Sequence, residues 1–224
     1  MISVILPTRN EPEVEKLITK VREVLAEVNK PFEIVVIDRS DDDTAERART
    51  AGAKVFKQSS SGLGGALKEA FKITQGDTVI TMDADSSHDP RYIPDLLRKI
   101  QAGFDLVVGS RKVPGGEVIG WNRRRKLVSA GANFVARSVA GIRVPDLTSG
   151  YRAYRKSMVN TLDIETIRSS SYAFQLEVTA RAVKQGFKVG VFPIVFVDRR
   201  RGRSKLSCRD MIDFFYTALK IRFL

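Results

Sequence analysis

The chain has almost no sulfur or imidazole chemistry to offer. Of its 224 residues one is cysteine, Cys208, and one is histidine, His88. A single cysteine excludes an intramolecular disulfide, and the shortage of both residues excludes a Cys/His zinc cluster. A Ser-His-Asp or Cys-His nucleophile would have to run through His88, yet no nucleophile elbow or cysteine-box sequence is present. No apolar run reaches the roughly 18 residues that a membrane span needs. The N-terminal MISVILPTRN reads as a strand without a basic leader or cleavage site, so no signal peptide is expected. The G-x-G-x-x-G of a dinucleotide-binding turn is absent after the first strand.

What remains is enough for a folded body. Hydrophobic residues make up 43% and charged residues 29% of the chain, the composition of a single domain with a real core. A cytosolic location fits the scarcity of cysteine. The 38 Lys and Arg outnumber the 26 Asp and Glu, for a net charge of +12. That surplus invites a nucleic-acid partner, but no RNP, KH, helix-turn-helix or finger pattern accompanies it. Catalysis is therefore expected from carboxylates, arginines, backbone amides and a hard metal ion.

Apolar β-branched runs at Ile2–Leu6, Ile34–Ile37, Thr78–Met82 and Leu106–Val108 alternate with helix-period segments. Val14 to Val28, Leu63 to Thr74 and Tyr92 to Gln101 are the helices among them. Strands apolar throughout and separated by helices predict an α/β fold with a mostly parallel sheet covered on both faces. Ligands bind such sheets at the carboxyl ends of the strands. Beyond residue 110, Arg111 to Lys126 is rich in Gly and Arg, and Leu127 to Ala140 and Tyr172 to Gln185 read as helices. Lys188 to Val197 reads as a bent strand, and Cys208 to Leu224 as a last helix.

Each strand end carries polar residues. Asp38 suits a ribose or base contact, whereas Asp42 and Thr44 read as turn and cap residues of the next helix. Gly62-Leu63-Gly64-Gly65 reads as a helix-starting turn. Asp83 and Asp85, one residue apart after a buried strand, would repel unless a cation lies between them. A divalent metal with oxygen ligands, holding a diphosphate, answers that requirement, and Ser87 could add an oxygen. The competing reading is a capping cluster for the helix near Pro90. His88 is a poor ligand for such a hard metal. Arg111, Lys112 and Arg123 to Lys126 form one basic cluster, and Arg199 to Arg209 a second. Arginine beside glycine at a strand end favours anion binding over a merely solvated face.

Taken in order, PTRNE, Asp38-x-Ser40-x-Asp42-x-Thr44, MDADSSHDP, VGSRKV, DLTSGYRAY and FVDRRRGRSKL resemble the family 2 glycosyltransferases of GT-A fold. The resemblance runs from Val4 to about Leu206 and is nearest to the synthases of dolichyl- and other polyprenyl-phosphate sugars. It implies a catalytic domain over 1–206, with a nucleotide-sugar half at 1–110 and an acceptor half at 111–206, followed by an amphipathic interfacial helix at 207–224. It implies that Pro7, Arg9, Glu11, Val36 and Asp38 line the nucleotide pocket. Asp83, Ala84 and Asp85 would hold the donor diphosphate through Mg²⁺ or Mn²⁺, with Asp83, Asp85 and Ser87 near the metal. Arg111 would touch the donor, Arg125 and Ser129 the acceptor phosphate, and Arg199 and Lys205 would close over the phosphates. Asp85, Arg111 and Arg125 would carry catalysis. The chain departs from the family pattern at Arg9, where Tyr is usual, at Ile37 and Arg39, which flank Asp38 where a second Asp is often found, and at Ser87, where relatives carry Gln.

The implied reaction is inverting transfer of mannose from GDP-mannose to dolichyl or another polyprenyl phosphate. A same-fold transferase using UDP-glucose or another sugar nucleotide is the alternative, and a basic nucleic-acid-binding protein the distant one. A lipid monophosphate has a second pKa of about 6, so its oxygen is already anionic and needs no base. A lipid acceptor places the protein at the cytoplasmic face of a membrane. The apolar residues of Met211 to Leu224 give either a helix packed on the core or one lying in the headgroup region. Relatives continue into membrane helices or use membrane subunits, which makes a membrane-spanning subunit an implied partner.

Overall fold

The structure is a computed structural model and describes residues 1–167, 169, 172–198 and 208–222. In chain order the elements are β1 (Ile2–Thr8), α1 (Val14–Glu27), β2 (Phe32–Asp38), α2 (Thr44–Thr50), β3 (Lys54–Lys57), α3 (Gly62–Ile73) and β4 (Thr78–Thr81). There follow α4 (Ile93–Gln101), β5 (Leu106–Ser110), β6 (Glu117–Ile119), α5 (Arg123–Ala140), β7 (Arg152–Arg155) and α6 (Lys156–Thr161). The chain continues through α7 (Tyr172–Lys184), β8 (Val189–Pro193), β9 (Val195–Val197) and α8 (Cys208–Arg222).

Seven strands form one sheet in the order β3-β2-β1-β4-β7-β5-β8, and β6 pairs with β9 in a separate ribbon. Alternate residues of each strand face opposite layers. Ile5, Val35, Ile37 and Val79 meet the layer of α3, α5, α6, α7 and α8. Val4, Leu6, Val36 and Ile80 meet the layer of α1, α2 and α4. Both faces are covered, so β1, β2, β4 and β5 are largely apolar.

The sheet is mostly parallel, as expected, with β7 running antiparallel between β4 and β5. Its sequence, Arg-Ala-Tyr-Arg, hides a strand because the fully buried Arg152 finds its acceptors elsewhere in the chain: the carbonyls of Leu147, Ser149 and Gln175 and the Thr179 hydroxyl. The fifth helix starts at Arg123 rather than Leu127, since Asn122 caps it by accepting the Arg125 N–H at 2.8 Å. The Val36 side chain is fully buried in the core beneath the strand ends.

The antiparallel strand has a functional consequence. The residues that enter β7, Ser149 to Tyr151, lie on the same rim as the carboxyl ends of β1, β2, β4 and β5. Thr81 Oγ1 donates to the Gly150 carbonyl at 2.8 Å, and the Gly109 N–H to the Tyr151 carbonyl at 2.8 Å.

Candidate active site

The rim is built from turns that hold one another. Asp38, the last residue of β2, accepts from Thr8 Oγ1 and Ser40 Oγ, both at 2.6 Å, and from the Ser40 N–H at 3.1 Å. Asn10, in the left-handed region at φ 55°, donates its N–H to Ser40 Oγ and accepts the Asp41 N–H. The Glu11 N–H donates to Thr44 Oγ1, while Asp42 accepts the Thr44 N–H as a turn residue should. Asp38 thus ties the first two strand ends together, and Arg9 is exposed beside them. The Gly62 stretch opens α3 as a helix-starting turn.

After β4 the chain turns sharply through Asp83, Ala84 and Asp85, with Ser86 at φ 63°. Asp85 Oδ1 accepts both the N–H and the hydroxyl of Ser87, which is buried. His88 Nδ1 accepts the Asp83 N–H at 3.1 Å, so this nitrogen is occupied by backbone and is unavailable to a metal. Burial lowers the His88 pKa against the opposing pull of Asp83 and Asp85, leaving a neutral ring with its proton on Nε2. The ring packs against Tyr151 and Phe196, with centroids 5.0 and 5.5 Å away. Gly150 lies against Asp83, where a Cβ would come 2.7 Å from Oδ1. The capping reading of this segment holds only for Asp89, whose carboxylate accepts the Arg91 N–H.

Asp83, Asp85 and Ser87 offer only oxygen, the donor set of a hard divalent ion. Among the described residues no three carboxylate, histidine or cysteine side chains converge on one point. The chain therefore fits an ion that completes its shell with ligand oxygens, such as those of a diphosphate, rather than one caged by protein.

The first basic cluster separates into different duties. Arg111 makes a two-point ion pair with fully buried Asp146, Nε to Oδ2 and Nη2 to Oδ1 both at 2.8 Å, and Nη2 also donates to Thr148 Oγ1 at 2.9 Å. Burial works against the Asp146 charge, but Arg111 outweighs it and holds the carboxyl well below the usual range. Arg111 thereby braces the loop that presents Gly150. Arg125 stacks on Trp121, 4.1 Å from the ring centroid, and pairs with Asp198 at 2.8 Å. Ser129 lies one turn further along the inner face of α5, half-buried. The β6–β9 ribbon joins these groups to the carboxylate turn. The Val197 N–H donates to the Ser87 carbonyl, and the Asp198 N–H to the Ile119 carbonyl. A cleft of about 430 Å³ opens between Glu11, Ala84, Asp85, Ser86 and Asp198, with Lys16 and Lys20 of α1 on its far wall.

The structure brings Glu11, Ala84 and Asp85 to this cleft and places Pro7, Arg9 and Asp38 on the adjoining rim. Arg199 and Lys205 lie outside the described residues. Asp146, Gly150 and Asp198 were contained in the recognised motifs, but their duties depend on partners distant in sequence.

Residues 3–163 match the family model described as glycosyl transferase family 2. The chain belongs to that family. It is 36% identical over 212 residues to an undecaprenyl-phosphate mannosyltransferase of Micrococcus luteus, covering 91% of this chain and 86% of the relative. It is 38% identical over 215 residues to a polyprenol monophosphomannose synthase of Mycolicibacterium smegmatis, covering 91% and 80%. In fold it is similar to glucosyl-3-phosphoglycerate synthase from Mycobacterium tuberculosis, crystallised with Mn²⁺, UDP and phosphoglyceric acid. The TM-score is 0.77 at 20% identity, over 99% of this chain and 78% of the other. The same synthase with Mg²⁺ and UDP gives 0.76 at 21% identity, over 100% and 80%. This glycosyltransferase thus has the GT-A architecture expected of its motifs.

Proposed function

We propose that this glycosyltransferase moves mannose from GDP-mannose to a polyprenyl phosphate such as dolichyl phosphate, with inversion, at the cytoplasmic face of a membrane. The observation that supports this reading is that the β6–β9 ribbon links the Asp83–Asp85 turn, through the Val197 N–H to Ser87 carbonyl bond, to Arg125, through its ion pair with Asp198. Asp83 and Asp85 stand at the end of β4, and Arg125 and Ser129 share the inner face of α5. The two curated relatives, both named for polyprenyl-phosphate mannosyl chemistry, support the choice of substrates.

In the reaction the bond from the sugar's anomeric carbon to the donor diphosphate breaks, and one to an acceptor phosphate oxygen forms. That oxygen is already ionised near neutral pH, so no residue has to remove a proton. The protein's task is to bring two anions together in line and to receive charge on the leaving diphosphate. Mg²⁺ or Mn²⁺, held by Asp83 and Asp85 with Ser87 fixing the Asp85 carboxylate, would supply neutralisation at that diphosphate. Arg125, oriented by Trp121 and Asp198, would hold the acceptor phosphate with Ser129. Arg111, braced by Asp146 and Thr148, would touch the donor beside Asp83. Pro7, Arg9, Glu11, Ala84 and Asp38 would bound the nucleotide, with Arg199 and Lys205 contributing phosphate contacts.

Two helices favour a membrane surface. Among the described residues no helix is long and apolar enough to cross a bilayer. On α8, Phe214, Ala218 and Ile221 are buried in the core while Ile212, Tyr216 and Leu219 face solvent. On α5, Leu127 and Phe134 are 72% and 68% exposed, next to the basic first turn Arg123 to Lys126. Cations at a helix N-terminus oppose the helix dipole. Their retention beside exposed apolar residues suits an anionic lipid surface.

The test is a panel of GDP- and UDP-sugars offered with Mn²⁺ and a polyprenyl phosphate, with products identified by mass. GDP-mannose should give the lipid product, and Asp85→Asn should abolish it in a folded protein. Transfer only from UDP-glucose would replace the donor assignment, and full activity of the Asp85 variant would refute the metal site.

A further inference from the structure

The turn after β5 carries a lysine to which the preceding reading gives no task. Lys112 Nζ donates to the Ser129 carbonyl at 2.9 Å and reaches the Ser129 hydroxyl at 3.4 Å. Its backbone is fixed, because the Lys112 N–H donates to buried Ser110 Oγ at 3.1 Å and the preceding Arg111 N–H to Asp146 at 3.2 Å. The side chain starts from the turn after β5 and reaches α5 at Ser129.

Among the described residues both of its hydrogen-bond partners are neutral oxygens. The acid that faces it, Asp146, is taken up in two-point contact by Arg111. Arg111 from the strand end and Arg137 from α5 add like charge. Burial, with help from those arginines and against Asp146, lowers the ammonium's pKa to about 8. Such a cation gains from any anion that enters beside Ser129. An ammonium can also redirect its three N–H donors, so exchanging the Ser129 carbonyl for a phosphate oxygen needs little rearrangement.

We propose that Lys112 is a direct ligand of the acceptor phosphate, closing a three-point grip with the Ser129 hydroxyl and with Arg125. Arg125 and Ser129 are four residues apart and therefore stack on one helix face. Lys112 approaches from the turn after β5, which positions the phosphate from two elements rather than one. The proposal rests on the transferase reading above and adds to it a residue that selects a phosphate over an alcohol.

The experiment compares a short, water-soluble prenyl phosphate with the matching prenol. Binding of each is measured to the wild type, to Lys112→Met and to Lys112→Gln, with GDP binding and thermal melting run on all three. Lys112→Gln keeps a donor for the Ser129 carbonyl, and so the turn, while removing the charge. Both variants should bind the prenyl phosphate about 10- to 100-fold more weakly, as expected for a lost hydrogen bond to a charged group. Their prenol and GDP affinities should be unchanged. Unaltered prenyl phosphate binding in the variants would overturn the proposal and leave the transferase reading standing. A parallel loss of all three ligands would also overturn it, since that marks a purely structural lysine. A wild type that does not prefer the phosphate to the prenol would overturn both.

Discussion

At the scale of single residues, the site depends most on contacts with no tolerance for bulk. Gly150 touches Asp83 so closely that a methyl group must displace the carboxylate, the Cβ standing 2.7 Å from Oδ1. Gly150→Ala should therefore melt close to the wild-type temperature yet transfer sugar about 100-fold more slowly, the scale of loss for a misplacement near 1 Å. Steady-state kinetics beside a thermal melt check this; unchanged kcat would mean that Asp83 has no positional role. His88 gives a second residue-level prediction. Burial depresses its folded pKa, so its contribution to stability is complete above the unfolded value of about 6.5 and falls as pH drops below it. It is the sole histidine, and Glu69 and Asp146, whose pKa values are lowered, lose their contributions only as pH falls through their ordinary carboxylate values and below, under the pH range compared for His88. Urea unfolding at pH 7.5 and 5.5 should show wild-type stability declining more than that of His88→Asn. Equal declines would contradict the neutral, Nδ1-accepting ring.

At the scale of elements, β7 and α5 decide what the rim can do. The antiparallel entry into β7 delivers Gly150 to the carboxylate turn, and the inner face of α5 delivers Arg125, Ser129 and Asn133. Asn133 accepts the Leu147 N–H at 3.0 Å and so ties α5 to the loop of Asp146. The outer face of α5 is the basis of another prediction. Burying a leucine or phenylalanine side chain stabilises by about 1.5–3 kcal/mol. Leu127→Asp with Phe134→Asp should thus weaken binding to anionic vesicles by at least about 10-fold while sparing the fold. Equal co-sedimentation of variant and wild type would defeat the membrane role of α5.

The same elements show which parts of the chain could be read in advance. The runs at Ile2, Ile34, Thr78 and Leu106 were legible because burial on two faces favours apolar side chains at most positions. The edge strand β3 was not, since its lysines Lys54 and Lys57 serve an edge and mask the pattern. Nor was β7, where Arg152 is buried at no evident cost only because α7 and the 147–149 loop satisfy it. The Asp83–Asp85 pair could be found from spacing alone, as two carboxylates after an apolar strand. The Arg111–Asp146 pair could not, because the partners are 35 residues apart and arginine at a strand end reads equally as an anion site.

At the scale of the whole molecule, the surplus of twelve positive charges is spread unevenly. Arg111 pairs with an internal carboxylate, whereas Arg123 to Lys126 stand beside the exposed apolar face of α5. Attraction of those charges to an anionic surface is screened over about 10 Å at 0.1 M salt. Vesicle binding should therefore weaken as salt rises from low to moderate concentration, and retain the part that α5 and α8 owe to apolar burial. Co-sedimentation across a salt series measures this, and binding wholly insensitive to salt would contradict the role of the basic turn.

In the proposed reaction an ionised acceptor phosphate replaces the base that a chain with one histidine does not provide. Incubating the protein with GDP-mannose, Mn²⁺ and equal amounts of a polyprenyl phosphate and its free alcohol, and weighing the lipids by mass spectrometry, examines this. The predicted result is one hexose added to the phosphate and none to the alcohol. A hexose on the alcohol, or on neither lipid, would contradict it.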